Sequence, residues 1–216
     1  MILLLFPLGL LAQKPDTVKV KVERDFRPSS IRIGTDVLAL ARSPFDDTYT
    51  GWELNGDIDL DRYFFAVDIG SSSRSFKDDS SSYSNDGYYF RVGADYNFIH
   101  KDKGGNVAFF GLRYGHSIFS EQLESVVNDP VWGHATVSDT NTDTPAGWFE
   151  MVGGIKVRIF KIVWLGYTAR YKFFLKTKDT TTMEPHDVPG YGRTDKNTTW
   201  GFNYQVLVNF PLRKKR

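Results

Sequence analysis

The stretch Trp200–Phe210 reads WGFNYQVLVNF. Every second residue is apolar (Trp200, Phe202, Tyr204, Val206, Val208, Phe210), and between them stand Gly201, Asn203, Gln205, Leu207 and Asn209. A period of two is that of a strand with one apolar and one polar face. Such a strand fits two settings. In a soluble sheet the apolar face is buried; in a membrane barrel it meets lipid, while the polar face lines a closed interior. The rest of the chain has to decide.

The same period recurs over segments 31–42, 50–60, 62–71, 87–98, 106–119, 147–160, 162–175 and 198–210. Each matches or slightly exceeds the roughly 9–11 residues that a tilted strand needs to cross a bilayer. The connections alternate in length. Those at Asp61, at 100–105 (HKDKGG) and at Lys161 are short, whereas 43–50 (SPFDDTYT), the Ser/Asp-rich 71–86, 120–146 and 176–197 are long and polar. Short turns on one rim and long loops on the other are the pattern of an outer-membrane barrel. The expected fold is therefore all-β: an eight-stranded antiparallel up-and-down transmembrane β-barrel, with both termini on the periplasmic side.

With the apolar rows facing out, the inward parity collects charge. The acids are Asp36, Glu53, Asp57, Asp59, Asp68, Asp95 and Glu150; the bases are Arg32, Arg91, Arg113, Lys156, Arg158, Arg170 and Lys172. The two sets balance, as a narrow interior requires, because buried charges are costly unless paired and hydrogen-bonded. Eight strands close on a lumen that side chains fill, so a wide aqueous pore is not expected. The competing reading is an open β-sandwich with the aromatic face buried and the charges in water.

A mean hydropathy of −0.35 over 216 residues excludes a bundle of membrane helices, each of which needs about 20 apolar residues. Only Ile2–Leu11 (ILLLFPLGLL) is a comparable run, and it is short. Followed by Ala12-Gln13, it reads as the apolar core and cleavage site of a signal peptide over 1–12, truncated at its start because a basic leader is missing. Residues 13–30 then form a periplasmic segment, 31–210 the barrel, and 211–216 (PLRKKR) a basic periplasmic tail. With no cysteine there is no disulfide framework or thiolate site. Lys+Arg 27 against Asp+Glu 26 announces no nucleic-acid partner. An aromatic fraction of 15% suits girdles at a membrane interface.

The segments SIRIGTDVLAL (30–40), GWELNGDIDLDRYFFAVDIG (51–70), GYYFRVGADYNF (87–98), NDPVWG (128–133) and VPGYGRTDKNTTWGFNYQ (188–205) resemble a Bacteroidota domain-of-unknown-function family of outer-membrane barrels. The resemblance spans nearly the whole mature chain, is most specific in VPGYG and WGFNYQ, and implies a location and a fold but no reaction. In architecture the chain is also similar to small barrels of the OmpA, OmpX and PagP kind, a group of mixed function. It departs from the common barrel ending in having a basic tail after Phe210.

Candidate chemistry is sparse. His116 and Ser117 lie near the outer end of the fifth segment with Glu121 close by, His134 follows DPVWG, and His186 precedes Asp187. A Ser/His/acid set or a metal site can be drawn from these, but none has a recognisable spacing. No cofactor and no metal are expected. DPVWG and VPGYG each join a turn signal to one aromatic, which predicts ordered loops in which Trp132 and Tyr191 pack or dock a partner. The partners expected are outer-membrane lipid and another outer-membrane or periplasmic protein. The function expected is a non-enzymatic anchor, scaffold or accessory subunit; the alternatives are a rim enzyme acting on lipid or peptide through His116, Ser117 and His186, and a narrow channel for ions or small solutes.

Overall fold

Lone two-faced strands leave their backbone edges open, and eight of them here solve this by closing on one another. The computed structural model describes residues 25–102, 104–129, 133–175 and 183–213, with backbone only for 127–129. The signal-peptide segment 1–12, most of 13–30, Trp132 and 214–216 of the basic tail lie outside the described residues.

The strands are β1 Ser30–Asp36, β2 Tyr49–Leu60, β3 Tyr63–Lys77, β4 Ser81–Asn97, β5 Val107–Asp129, β6 Gly133–Arg158, β7 Val163–Leu175, then the two-residue β8 Asp187–Val188 and β9 Gly192–Arg193, and finally β10 Thr198–Pro211. A short helix α1 (Val37–Arg42) follows β1. The closed order is β1-β10-β7-β6-β5-β4-β3-β2, while β8 and β9 pair only with each other. The opening stretch closes the cylinder: β10 runs antiparallel to β1 from Ile31↔Phe210 to Asp36↔Gln205 and to β7 from Thr198↔Phe173 to Val208↔Val163. Both described ends of the chain lie at the rim that carries the short turns, where Ser30 faces Pro211 and Asp59. Asp61 makes the tightest of these turns with φ 66°, a left-handed backbone that Asp tolerates better than most residues.

Three expectations change. The first segment does not run on as a strand to 42. Asp36 stops it by accepting the Leu38 amide (3.0 Å) as a helix cap, and VLALAR, rich in helix-favouring Leu, Ala and Arg, coils. The Ser/Asp-rich 71–86 is not a solvated loop but the continuation of β3 and β4, which pair as far as Lys77↔Ser82. Likewise most of 120–146 is a β5–β6 ribbon that pairs out to Asp129↔Gly133, with a bulge between Phe119 and Glu121. Hydrophobic alternation marks a strand only where one face meets an apolar medium. Beyond that belt the ladder continues with polar residues on both faces and leaves no periodic signal.

The interior also contains more than charge. Phe64, Val107, Phe109, Val152, Trp164 and Leu207 form a buried apolar cluster toward the short-turn rim. Tyr89, Phe119, Ala146, Trp148, Val188 and Tyr191 form a second toward the loop rim. The ionic groups lie between and around these two plugs.

Candidate functional site: the packed lumen

Near the short-turn rim, Asp57 on β2 holds two cations. The Arg32 guanidinium donates to it at 2.7 Å, and Lys156 Nζ donates to its other oxygen at 2.7 Å. Both cations also lie over rings of the apolar cluster: Arg32 over Phe64 (4.4 Å) and Trp164 (5.1 Å), Lys156 over Phe109 (4.8 Å) and Phe64 (5.4 Å). Such cation–π contacts are strongest where water is excluded. Asp59 is buried one inward position nearer the rim.

The middle layer is built on Asp68. Its Oδ2 accepts from Arg113 (2.6 Å) and Arg170 (3.1 Å) and lies 3.5 Å from Arg91 Nε, and its Oδ1 accepts from Asn55 Nδ2 (2.8 Å). Arg113 also donates to Asp95 (2.9 Å), and Arg170 to Glu150 (2.9 Å) and to Asn203 Oδ1 (2.5 Å). Arg91 pairs with Glu53. Glu53 in turn accepts from the Tyr89 hydroxyl (2.7 Å) and Asn55 (2.7 Å), and Glu150 accepts from Trp148 Nε1 (2.7 Å). Asn203 donates to Asp36 (2.5 Å), which ties the opening stretch to the helix cap. Strands β1 to β7 and β10 all contribute, so the network is a cross-brace of the closed wall. Removing one member strands others in a low-dielectric interior.

The loop rim is stoppered by the β8–β9 hairpin. Tyr191 N donates to the Val188 carbonyl (3.0 Å) across Pro189-Gly190, with Gly190 at φ 80°. That is a type II turn, in which Pro presets the first corner and Gly supplies the positive φ of the second. A Cβ at Gly190 would run into the Tyr89 ring. The turn drives Val188 and Tyr191 inward, Tyr191 against Phe174 (4.9 Å) and Trp148 (5.9 Å). Lys172 Nζ donates to the carbonyls of Gly190 (2.8 Å) and Tyr191 (3.0 Å), Arg74 pairs with Asp187 (2.7 Å), and Asn85 donates to the Asp187 carbonyl (2.6 Å). Burial raises the Asp187 carboxyl above its ordinary value, and the Arg74 cation opposes that rise. A cavity of about 280 Å³ remains between the hairpin and the ionic layer.

Of the charged positions expected inside, Arg158 departs from the pattern: its residue is exposed. It is the last residue of β6, beyond the packed layer, where the rim is open to solvent. Tyr191 packs as expected but is 1% exposed, so it stoppers the barrel and offers no docking surface. The three rim candidates do not converge. The two-residue period sets His116 on the outer wall between Phe90 (5.7 Å) and Tyr114 (6.4 Å), whereas Ser117 turns inward and donates to the Tyr88 carbonyl (3.1 Å). The His186 ring packs on Tyr83 (5.2 Å), and only its backbone N–H reaches Glu121 (3.2 Å). Among the described residues no group of three His, Cys, Asp or Glu side chains is placed to hold a metal ion.

Inward aromatics such as Phe64 and Phe109 escaped the sequence reading. Phe64 stands between Tyr63 and Phe65, and Phe109 precedes Phe110. In such runs both parities are apolar, and only counting back from Asp68 or Gly111 along the same strand assigns Phe64 and Phe109 to the inside.

A closed, eight-stranded antiparallel β-barrel with a largely filled, cross-braced interior is the class of protein that these features define. Within that class, the chain belongs to the family described as a domain of unknown function (DUF6048), whose model matches residues 3–215. No curated protein matches it. Among solved structures it is similar to neisserial surface protein A, NspA, at 12% identity and a TM-score of 0.42 over 85% of this chain and 95% of that one. It is also similar to the N-terminal β-barrel domain of Pseudomonas aeruginosa OprF, at 14% identity and a TM-score of 0.36 over 85% and 98%.

Proposed function

We propose that this chain is an integral outer-membrane β-barrel, with both termini periplasmic, that serves as a non-enzymatic anchor, scaffold or accessory subunit. The observation that carries the reading is the inversion of the wall. Leu54, Phe90, Leu112, Phe149, Ile155 and Phe202 point outward and are each at least 41% exposed, while the ionic groups are inside. A continuous apolar band of this kind is not tolerated in water and is what lipid requires. Aromatic clusters stand at both ends, with Tyr63, Tyr96 and Phe98 in contact near the short turns and Tyr171, Phe173 and Trp200 near the loops. The barrel closes every backbone edge within the band, as a bilayer demands.

The stoppered, cross-braced lumen favours a structural role over conduction. The separation of His116 from Ser117 gives the rim-enzyme reading no supporting geometry. Fractionation of cells that express the chain tests location. The protein should stay with the outer membrane after alkaline carbonate washing and should migrate faster on gels before boiling than after; release by carbonate would refute the membrane reading. Purified protein in planar bilayers should give no single-channel steps. Pull-down from solubilised outer membranes should return a reproducible partner, and a chain that always runs alone would count against the scaffold role.

A further inference from the structure

Strand β1 stops partway up the wall. Its ladder with β10 ends at Asp36↔Gln205 and its ladder with β2 at Thr35↔Leu54, although β10 pairs with β7 from Thr198 and β2 pairs with β3 from Tyr49. Above that point α1 packs against both β2 and β10 in place of a strand. A helix directs its main-chain groups along its own axis, so it meets the two strands through side chains. Thr35 Oγ1 donates to the Glu53 carbonyl (2.8 Å), Ser43 Oγ accepts from the Gly51 amide (3.1 Å), and Asp36 accepts from the Tyr204 amide (3.0 Å). The wall thus contains a seam that no strand ladder closes.

The cavity of about 280 Å³ lies behind this seam and reaches it. Leu38 of α1 (47% exposed) and Phe202 of β10 (54% exposed) stand on the outer face, and both also line the cavity. The lips are apolar, but the interior is ionic. Arg32, Arg91, Arg113, Lys156 and Arg170 each pair with a carboxylate. Lys172 does not among the described residues: it donates to the carbonyls of Gly190 and Tyr191, which takes two of the three protons of an ammonium. The inward position of β10 between Lys172 and α1 is Gly201, where a Cβ would come within 3.1 Å of Nζ. Lacking that side chain, the wall leaves the ammonium open toward the seam. The acids of the cavity are already taken: Glu53 by Arg91, Asp187 by Arg74, and Asp36 by the amides of Leu38 and Tyr204 and by Asn203. An unspent donor beside filled acceptors calls for an anion.

We infer that the seam between α1 and β10 is a lateral port for the phosphate headgroup of a membrane lipid. Lys172 holds the phosphate from inside and Arg42, which also lines the cavity, from the end of α1; the acyl chains stay outside against Leu38 and Phe202. Cations bind phosphate through charge-assisted hydrogen bonds. Size sets the division, because the cavity falls below the roughly 300–1,000 Å³ that takes a whole drug-sized ligand. Apolar lips on the outer wall favour a lipid over free phosphate as the source of that group. The inference rests on the membrane reading for this source. Binding is measured in micelles, so its failure leaves the fractionation result standing, and release by carbonate would overturn the membrane reading without altering the micelle result.

The test is native mass spectrometry of the barrel folded in dodecyl maltoside and titrated with dioctanoyl phosphatidic acid. One lipid per barrel is expected. Dioctanoylglycerol, which lacks the phosphate, should bind at least about tenfold more weakly, and excess inorganic phosphate should fail to displace the lipid. Lys172→Met keeps the stem and removes the ammonium; it should weaken binding by about tenfold and reduce its salt dependence. Lys172 also braces the hairpin, so Ala39→Phe is the independent variant: it fills the mouth from α1, leaves both cations in place, and should weaken binding by about tenfold through a clash. Arg158→Gln removes the same charge at the opposite rim and should leave binding unchanged. No binding at millimolar lipid, equal binding of dioctanoylglycerol, or displacement by inorganic phosphate would each overturn the inference. So would undiminished binding by Lys172→Met or Ala39→Phe, or an equal loss in Arg158→Gln.

Discussion

Arg170→Met is the sharpest test of the cross-braced lumen. Arg170 is fully buried and makes three directed contacts, to Glu150 (2.9 Å), Asp68 (3.1 Å) and Asn203 (2.5 Å). At about 1.5–3 kcal/mol for a hydrogen bond to a charged group, a naive sum over the three would be about 4.5–9 kcal/mol. Two corrections lower it. Met fills much of the arginine stem and removes the desolvation penalty of the guanidinium. The abandoned carboxylates also keep other partners: Arg113 and Asn55 for Asp68, Trp148 Nε1 for Glu150, with Arg91 Nη1 3.7 Å away. The expected loss is about 3–5 kcal/mol, the range for breaking one partner out of a buried ion pair. Adding Glu150→Gln to Arg170→Met removes the carboxylate left without its best cation and should recover about 1–3 kcal/mol, a non-additivity of the size seen between directly bonded groups. Urea unfolding in lipid vesicles, followed by tryptophan fluorescence and by the heat-dependent gel shift, reads both quantities. A loss below about 1 kcal/mol, or strict additivity of the two substitutions, would mean that water fills the lumen and solvates these charges, and the packed-interior argument would fail.

Three further outcomes follow from the same geometry. Val206→Lys, placed mid-strand on the outer face opposite Leu165 and Thr35, should destabilise the barrel by about 2–4 kcal/mol in vesicles; a neutral result would argue against lipid contact there. Gly190→Ala forces a side chain onto a backbone at φ 80° and against Tyr89, so the hairpin seat should weaken by about 1–3 kcal/mol, seen as faster proteolysis within 183–197 and altered Trp148 emission while the barrel gel shift persists. The Asp187 carboxyl, raised by burial above 3.8 despite Arg74, binds its proton more tightly in the seated hairpin than in a released one. Between 3.8 and its raised value, seating therefore weakens as pH rises and strengthens as pH falls. Amide exchange over 186–193 should slow on acidification through that window, and acceleration there would contradict the burial of Asp187.

Much of the wall was readable because strands with one apolar and one polar face obey a rule of two. Trp200 to Phe210, Trp52 to Leu60 and Tyr88 to Phe98 each assign their own inside and outside, and nearly every charged residue of the inward parity is buried where that parity puts it. Arg158 fails because parity gives direction but not depth, and its depth was set by where β6 ends. The upper sheet was unreadable for the opposite reason. Ser71 to Ser75 and Thr136 to Asn141 pair as strands without a continuous apolar face, so the pattern that finds strands in the belt is silent above it.

The candidate site divides in the same way. Which residues carry charge toward the interior, and that they balance, followed from residue type and period alone, because those depend only on local backbone geometry. Which cation meets which anion did not. Asp68 joins Arg113 and Arg170, 45 and 102 positions away, because barrel closure and strand register bring β3, β5 and β7 to one level. VPGYG announced a turn by its own chemistry, yet only the folded barrel turns Tyr191 into a stopper, since a turn fixes local φ and ψ while the cavity it fills is made by other strands. The sequence by itself thus determined the two-faced wall and the charge of its lining. The tertiary structure decided the pairing and the stopper, because each depends on which distant segments the closed sheet brings together.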